Sequence, residues 1–154
     1  MQNISTRLAT LEDIPHLVRH RHAMFEEMGL GTTDTRALMD AHFVQWAKPK
    51  MLADEFLSWL ACDGDAVVAG AGCWFINWPP NPDGDVGQRA YVYNVYTEKA
   101  YRSQGIARRL MQTLLDACRQ RGIYRVALHA SDAGRALYEK LGFFPTKEMG
   151  LFLD

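Results

Sequence analysis

Apolar and polar positions divide this chain into segments of two periods. Leu11, Ile14, Leu17, Val18, Met24, Phe25 and Met28 recur at helical spacing between a start signal at Thr10-Leu11-Glu12-Asp13 and a stop at Gly29. Pro15 falls in the first turn of that helix, where its missing N–H costs nothing. A second helix is predicted from Thr33-Asp34, with Leu38, Met39, Phe43 and Trp46 on one face and its far end near Pro49. The remaining segments have the shorter period of strands. Residues 4–8 alternate as a short first strand, and residues 56–62 and 66–74 flank the turn Asp63-Gly64-Asp65, which requires an antiparallel hairpin. Residues 77–88, with Pro79, Pro80, Pro82, Gly84 and Gly87, read as a long loop.

Tyr91 to Thr97 is a β-branched and aromatic strand, followed by a helix from Gly105 to about Arg121 that buries Ile106, Leu110, Leu114 and Ala117 or Cys118, with Gly122 as its stop. Residues 126–129 form a short buried strand, residues 132–140 a short helix ended by Gly142, and Phe143 to Leu153 supplies the last strand material. A strand–helix–strand unit from 91 to 129 implies one parallel pair in an otherwise antiparallel sheet. The predicted fold is therefore α/β: a mixed, mostly antiparallel central sheet flanked by helices, read as a single domain over residues 1–154 with no repeat and no linker.

Composition narrows the classes. With 154 residues, 48% hydrophobic and 23% charged, the chain has the make-up of an ordinary globular domain. A formal net charge of −1 does not steer it to nucleic acid or to an anionic membrane. No apolar run reaches the ~18 residues of a bilayer span, and Met1-Gln2-Asn3-Ile4 shows neither the basic nor the apolar part of a signal peptide. Cys62, Cys73 and Cys118 are odd in number and widely spaced, which argues against a zinc site or a disulfide framework. Buried small hydrophobes in a reducing, cytoplasmic compartment are the expectation, and no metal site is expected.

The chemistry lies between the strand at 91–97 and the helix that follows. A glycine-bearing loop after a strand, opening a helix, builds an anion site, because the first helical N–H groups lack intrahelical acceptors and the dipole favours negative charge there. Gly105, without a Cβ, allows close approach to the backbone, and Ala107 keeps it open. Neither the nucleoside-triphosphate P-loop pattern nor the Gly-x-Gly-x-x-Gly dinucleotide fingerprint is present. What stands here is Arg-x-x-Gly-x-Ala, Arg102 to Ala107. Downstream, Ser131-Asp132-Ala133-Gly134-Arg135-Ala136-Leu137-Tyr138 runs on to Gly142-Phe143.

These two stretches, in order and separated by one helix and one strand, resemble the acyl-CoA motifs of the GNAT N-acetyltransferase superfamily. The first resembles its Gln/Arg-x-x-Gly-x-Gly/Ala pyrophosphate loop, and Tyr138, Gly142 and Phe143 resemble its Asn-x-x-Ala-x-x-x-Tyr-x-x-x-Gly-Phe. Ser131 and Gly134 stand where Asn and Ala are commoner. The resemblance implies transfer of an acetyl group from acetyl-CoA to a primary amine, on a small molecule or an exposed peptide or protein, by direct attack in a ternary complex. It implies that backbone groups of Val95 and Thr97 meet the pantetheine amides and that an N–H near Val95 or Tyr96 polarises the thioester carbonyl. It implies that amides of Ser103, Gln104, Gly105, Ile106, Ala107 and Arg108 hold the pyrophosphate, beside Arg102. By the same resemblance Ser131, Gly134 and Tyr138 complete the acyl-CoA site, and the Tyr138 hydroxyl is the candidate proton donor to the departing thiolate. A homodimer is also allowed by the resemblance.

An ammonium acceptor, with a reference pKa of ~10.4, must lose a proton before attack. The strand carboxylate that does this in some family members is replaced here by Tyr91. Glu27, near the end of the first helix, and His129, at a strand end, are the candidate bases. An exposed helix carboxylate and a structural histidine are the competing readings, and a water chain needs neither. His16, His20 and His22 read as a solvated helix face, and the loop 77–88 as either an acceptor-site wall or a rigid crossing. The rival from another class is an acyl-CoA-binding sensor on the same fold that has lost turnover.

Overall fold

A computed structural model describes residues 3–85 and 87–154. Five strands form one sheet in the order of the chain: β1 (Ile4–Leu8), β2 (Phe56–Asp63), β3 (Ala66–Asn77), β4 (Gln88–Thr97) and β5 (Val126–Leu128). The first four pair antiparallel, and β4 pairs parallel with β5. Helices α1 (Ile14–Glu27) and α2 (Thr33–Leu52) lie between β1 and β2, α3 (Ile106–Gln120) between β4 and β5, and α4 (Arg135–Lys140) after β5.

Two apolar clusters show how the layers are assigned. Leu17, Phe43, Ala47, Phe56, Leu60 and Val67 join α1 and α2 to one face of the sheet. Ile106, Leu110, Met111, Leu114 and Cys118, the inward stripe of α3, meet Ala71, Cys73, Phe75 and Val92 on the other, with Tyr138 of α4 in the same cluster. Cys73 and Cys118 are both free and buried, with their sulfurs 3.8 Å apart. A short helical turn at Leu11–Asp13 leads into α1 and is clamped by Asp13, which accepts from Arg7 Nη1 at 2.7 Å, Arg7 Nη2 at 2.8 Å and the Thr10 amide at 2.8 Å.

Helix α2 ends near Pro49 as its pattern indicates, continuing just past the proline to Leu52. One expectation is corrected. The predicted last strand does not form: residues 143–154 carry no regular element, because no neighbouring strand supplies a ladder and Pro145 lacks a donor. Phe144, Met149, Leu151, Phe152 and Leu153 are left between 75% and 99% exposed. Among the described residues, no helix is long and apolar enough to cross a membrane.

Candidate functional site

The site begins with an irregularity in β4. Gly70 faces Tyr96 and Gly72 faces Tyr93, so the single residue Ala71 stands opposite both Asn94 and Val95. This is a β-bulge, and Asn94 adopts a left-handed φ of 56° within it. The conformation is held from the side chain: Asn94 Nδ2 donates to the Leu17 carbonyl at 3.2 Å and Oδ1 accepts from Arg21 Nη1 at 2.8 Å. Sequence reasoning passed over Asn94; its signal was a polar residue with an αL tendency inside a β-branched and aromatic run. Pairing between β4 and β5 covers only Ala90, Tyr91 and Val92, so beyond the bulge the strands part. From Tyr93 to Thr97 the side of β4 turned away from β3 has no strand neighbour among the described residues, and Val95 and Tyr96 lie in this split.

The loop after β4 is a backbone cradle. Ser103 and Gly105 both take positive φ, 62° and 74°. The amides of Ser103, Gln104, Gly105, Ile106, Ala107 and Arg108 have no protein acceptor among the described residues, and the first bond closing α3 is Arg109 N–H to the Gly105 carbonyl at 3.1 Å. A Cβ added at Gly105 would meet nothing within 4 Å. The glycine therefore serves its left-handed φ and leaves free space in front of the amides. That combination, unpaired donors at a positive helix end with open space at Gly105, fits a phosphate or pyrophosphate. Arg108 and Arg109 are exposed beside it.

Arg102 points elsewhere. Its Nε donates to the Thr97 carbonyl at 2.8 Å and its Nη2 to Glu27 Oε2 at 2.7 Å, with the guanidinium over the Tyr96 ring. The side chain thus ties the loop to α1, and the Thr97 carbonyl is already engaged. Glu27 also accepts from the Tyr96 hydroxyl at 2.7 Å. Hydrogen bonds from Tyr96 and then Arg102 hold the Glu27 carboxyl below its ordinary pKa, which makes it a poor proton acceptor. His129 is exposed just past β5 and is not brought to Glu27 by any contact.

Tyr138 is buried in the α3-side core, edge-on to Phe143 with centroids 5.9 Å apart. Burial raises its pKa, keeping the phenol protonated. Gly134, where Ala is commoner, has a steric reason here. A Cβ at that position would lie 2.8 Å from Tyr138 Cε2 and 3.2 Å from Ser131 Oγ. Ser131 Oγ is itself used, accepting the Gly134 amide at 3.1 Å. Ser131, Gly134 and Tyr138 therefore form one contact group.

On the opposite face, an open cavity of about 500 Å³ is lined by Arg21, Thr35, Leu38, Met39, His42, Phe43, Trp46, Trp74 and Tyr93. The loop between β3 and β4 contributes none of these residues. It closes on itself, with Trp78 N–H bonded to the Gly87 carbonyl at 2.8 Å, Asp85 paired with Arg89, and the Arg89 guanidinium 4.3 Å from the Trp78 ring centroid. Of the two readings of this loop, the rigid crossing matches that geometry. A further correction concerns His20, which is 1% exposed, not solvated. Burial first, then the Arg19 charge, pushes its pKa down to about 4, so its unpartnered ring is neutral beside Tyr96. No cluster of metal-ligating side chains occurs among the described residues.

The comparisons with known proteins agree with this geometry. The model of the Acetyltransferase (GNAT) family matches residues 17–143, and the chain belongs to that family. A GCN5-related N-acetyltransferase from Ralstonia eutropha is 33% identical, with a TM-score of 0.92 and coverage of 98% of this chain and 99% of that one. A predicted acetyltransferase from Clostridium acetobutylicum, whose structure is described with acetyl-CoA, is 29% identical with a TM-score of 0.89, covering 99% of this chain and 96% of that one. N-alpha-acetyltransferase 30 of Schizosaccharomyces pombe is 36% identical over 64 residues, a match to 40% of this chain and less than half, 43%, of that relative's length. The parallel β4–β5 pair in an otherwise antiparallel, helix-flanked sheet is the GNAT fold.

Proposed function

We propose that this chain is an N-acetyltransferase that moves an acetyl group from acetyl-CoA to a primary amine by direct attack in a ternary complex. The observation that carries the reading is the run of amides from Ser103 to Arg108 without protein acceptors, set beside the split between β4 and β5. Those amides bind the pyrophosphate, and the free side of β4 beyond the bulge meets the pantetheine arm as an added strand would. Val95 and Tyr96, next to the bulge, are placed to direct an N–H at the thioester carbonyl, where negative charge develops. With the Thr97 carbonyl committed to Arg102, Val95 carries more of the pantetheine contact than Thr97. Tyr138, kept protonated by burial, donates its proton to the sulfur as the C–S bond breaks. Holding both reactants in one complex supplies much of the rate. Glu27 is spent on Arg102 and Tyr96, and His20 is a weak base, so the ammonium proton leaves through His129 or solvent.

Two measurements test this. Acetyl-CoA should raise the melting temperature where NAD and ATP do not, and thiol should be released in the presence of an amine acceptor. Stabilisation without thiol release across a broad amine panel would instead favour the acyl-CoA sensor.

The exposed C-terminal segment supports a homodimer as part of the same proposal. Met149, Leu151 and Leu153 alternate along the exposed segment and would share one face if it paired as a strand, and β5 is an edge strand with a free side. Each copy thus offers both an apolar segment able to pair and an edge to receive one, the requirement of a two-fold exchange. Light scattering should report a dimer that Leu151→Asp converts to monomer; a wild-type monomer at micromolar concentration would refute the assembly.

A further inference from the structure

The cavity between the helical layer and β4 contains one charge that the protein does not balance. Arg21 reaches from α1 into an aromatic cage, its Cζ 5.0 Å from the Phe25 centroid, 5.2 Å from Phe43 and 5.9 Å from Tyr93. Its only protein hydrogen bond among the described residues runs from Nη1 to Asn94. The Nε donor is buried with no acceptor, while Nη2 keeps solvent access and has no protein acceptor among the described residues. Among the described residues Arg7, Arg19, Arg89, Arg102, Arg119 and Arg135 each have a carboxylate within ion-pair distance, whereas Arg21 has none; Arg36, Arg108, Arg109, Arg121 and Arg125 have none either, and what sets Arg21 apart is its place in the cavity wall. Arg21 is half-buried, and burial lowers its pKa, the direction expected of a partly desolvated guanidinium with no anion beside it. A partly desolvated cation without a counter-charge is costly, and a bound anion offsets that cost.

The rest of the lining decides what carries that anion. Leu38, Met39, Phe43, Trp46, Trp74 and Tyr93 are apolar or aromatic, Thr35 and His42 add two polar groups, and among the described residues no Asp or Glu lines the cavity. A polycationic acceptor needs acidic walls to replace the hydration of its ammonium groups, and none are present. An apolar body with a single carboxylate meets both halves of the lining. The volume of about 500 Å³ accepts a small molecule. The guanidinium is also one hydrogen bond from Asn94 in the β4 bulge. A carboxylate held there keeps the rest of the ligand close to the place where β4 and β5 separate.

We propose that this cavity is the acceptor subsite, and that it selects a small amine bearing one carboxylate and an apolar or aromatic group, the make-up of a hydrophobic α-amino acid. Arg21 is the specificity-determining residue. The assignment of the cavity to the acceptor rests on the acetyl-transfer reading above, whereas the recognition chemistry can be tested without turnover.

Trp46 and Trp74 in the wall make intrinsic fluorescence a direct reporter of occupancy. The wild-type protein, titrated with phenylalanine or leucine, should bind the free amino acid about 10–100-fold more tightly than its amide, the range expected for charge-assisted hydrogen bonds to a carboxylate. Spermidine should bind more weakly still. Arg21→Met keeps the length and apolar contacts of the side chain and should abolish the acid-over-amide preference. Arg21→Lys, a point charge in place of a fork, should retain part of it. Equal binding of acid and amide by the wild-type protein overturns the proposal, as does a preference for spermidine; because this arm uses no variant, it stands even if a substitution disturbs folding. Binding with the predicted preference but without thiol release would leave the subsite in place and refute acetyl transfer.

Discussion

The two faces of the β4 strand offer different surfaces and, on the reading proposed above, would recognise ligands by different means. On the α3 side and in the split toward β5, the backbone does the work: unpaired amides from Ser103 to Arg108, a left-handed glycine and a bulge. On the α1–α2 side, side chains do it, with six aromatic or apolar residues around Arg21. A backbone cradle recognises what is constant in a ligand, because it tolerates most changes of side chain around it. A wall of side chains recognises what varies, and one substitution can redraw it. Where two faces of one strand divide the labour in this way, the chain can keep its donor while changing its acceptor.

The sharpest way to break the comparison is to place a side chain where the backbone works alone. Gly105→Glu puts a carboxylate into the open space before the amides and forces an L-residue into a φ of 74°. The strain costs about 1–2 kcal/mol, small against a domain's stability, so circular dichroism should be unchanged. Acetyl-CoA affinity by calorimetry should fall by ~10²-fold or more, since like charges meet in a partly desolvated site. Gly105→Ala separates the two causes: its Cβ meets nothing, so only the strain remains and binding should survive. Unchanged affinity in the Glu variant would mean that the donor binds elsewhere.

The same division explains how much could be read from the chain alone. The cradle, the α3 stripe and the Ser131–Tyr138 group are each built from residues a few positions apart, so local spacing carried them into view. The proposed acceptor cavity draws on positions that include 21, 43, 46, 74 and 93, each of which looks like an ordinary core or helix residue by itself. Leu38, Met39, Phe43 and Trp46 were legible as one helix face, and they do face the cavity together. That Arg21 turns inward beside them depends on Asn94, 73 residues away. The C-terminal segment has a strand-like pattern but no ladder within one copy, because a strand is defined by its neighbour and not by its own alternation. Glu27 illustrates the opposite problem: its position near the site was readable, but its commitment to Arg102 and Tyr96 was not.

Tyr138 tests the comparison at its boundary, as a side chain assigned chemistry on the face dominated by backbone. Tyr138→Phe removes one hydroxyl and almost no volume, so the packing against Phe143 and the binding of acetyl-CoA should persist. If the hydroxyl protonates the leaving sulfur, turnover should fall by ~10²-fold, in kcat and not in KM for acetyl-CoA. Single-turnover measurement isolates the chemical step from product release. A Phe variant with wild-type single-turnover rates would make Tyr138 a packing residue whose position requires Gly134 and nothing more.

The smallest effect concerns how the acceptor face is anchored. Helix α1, which carries Leu17, His20 and Arg21, starts from the turn clamped by Asp13. The Arg7 hydrogen bonds, with the Thr10 amide after them, pull the Asp13 carboxyl from 3.8 down to about 2. A carboxyl whose folded pKa lies below its unfolded value adds stability that is fully present above the unfolded pKa. That stability is lost as pH falls through the folded one, so the window here runs from about 4 down to about 2. A shift of this size corresponds to roughly 2 kcal/mol at most, and less after allowance for solvent screening of the half-exposed Arg7. Asp13→Asn should therefore be about 1–2 kcal/mol less stable than wild type in urea at pH 7, and the difference should close as both are titrated toward pH 2. Acetyl-CoA affinity should not move, because the cradle shares no residue with this turn. The KM for the amine should rise less than threefold, since a loosened start of α1 weakens the positioning of Arg21 without removing it. A stability difference that stayed constant across the pH window would show that the loss comes from packing at the turn and not from the carboxylate, and would detach the anchoring of α1 from the Arg7 pair.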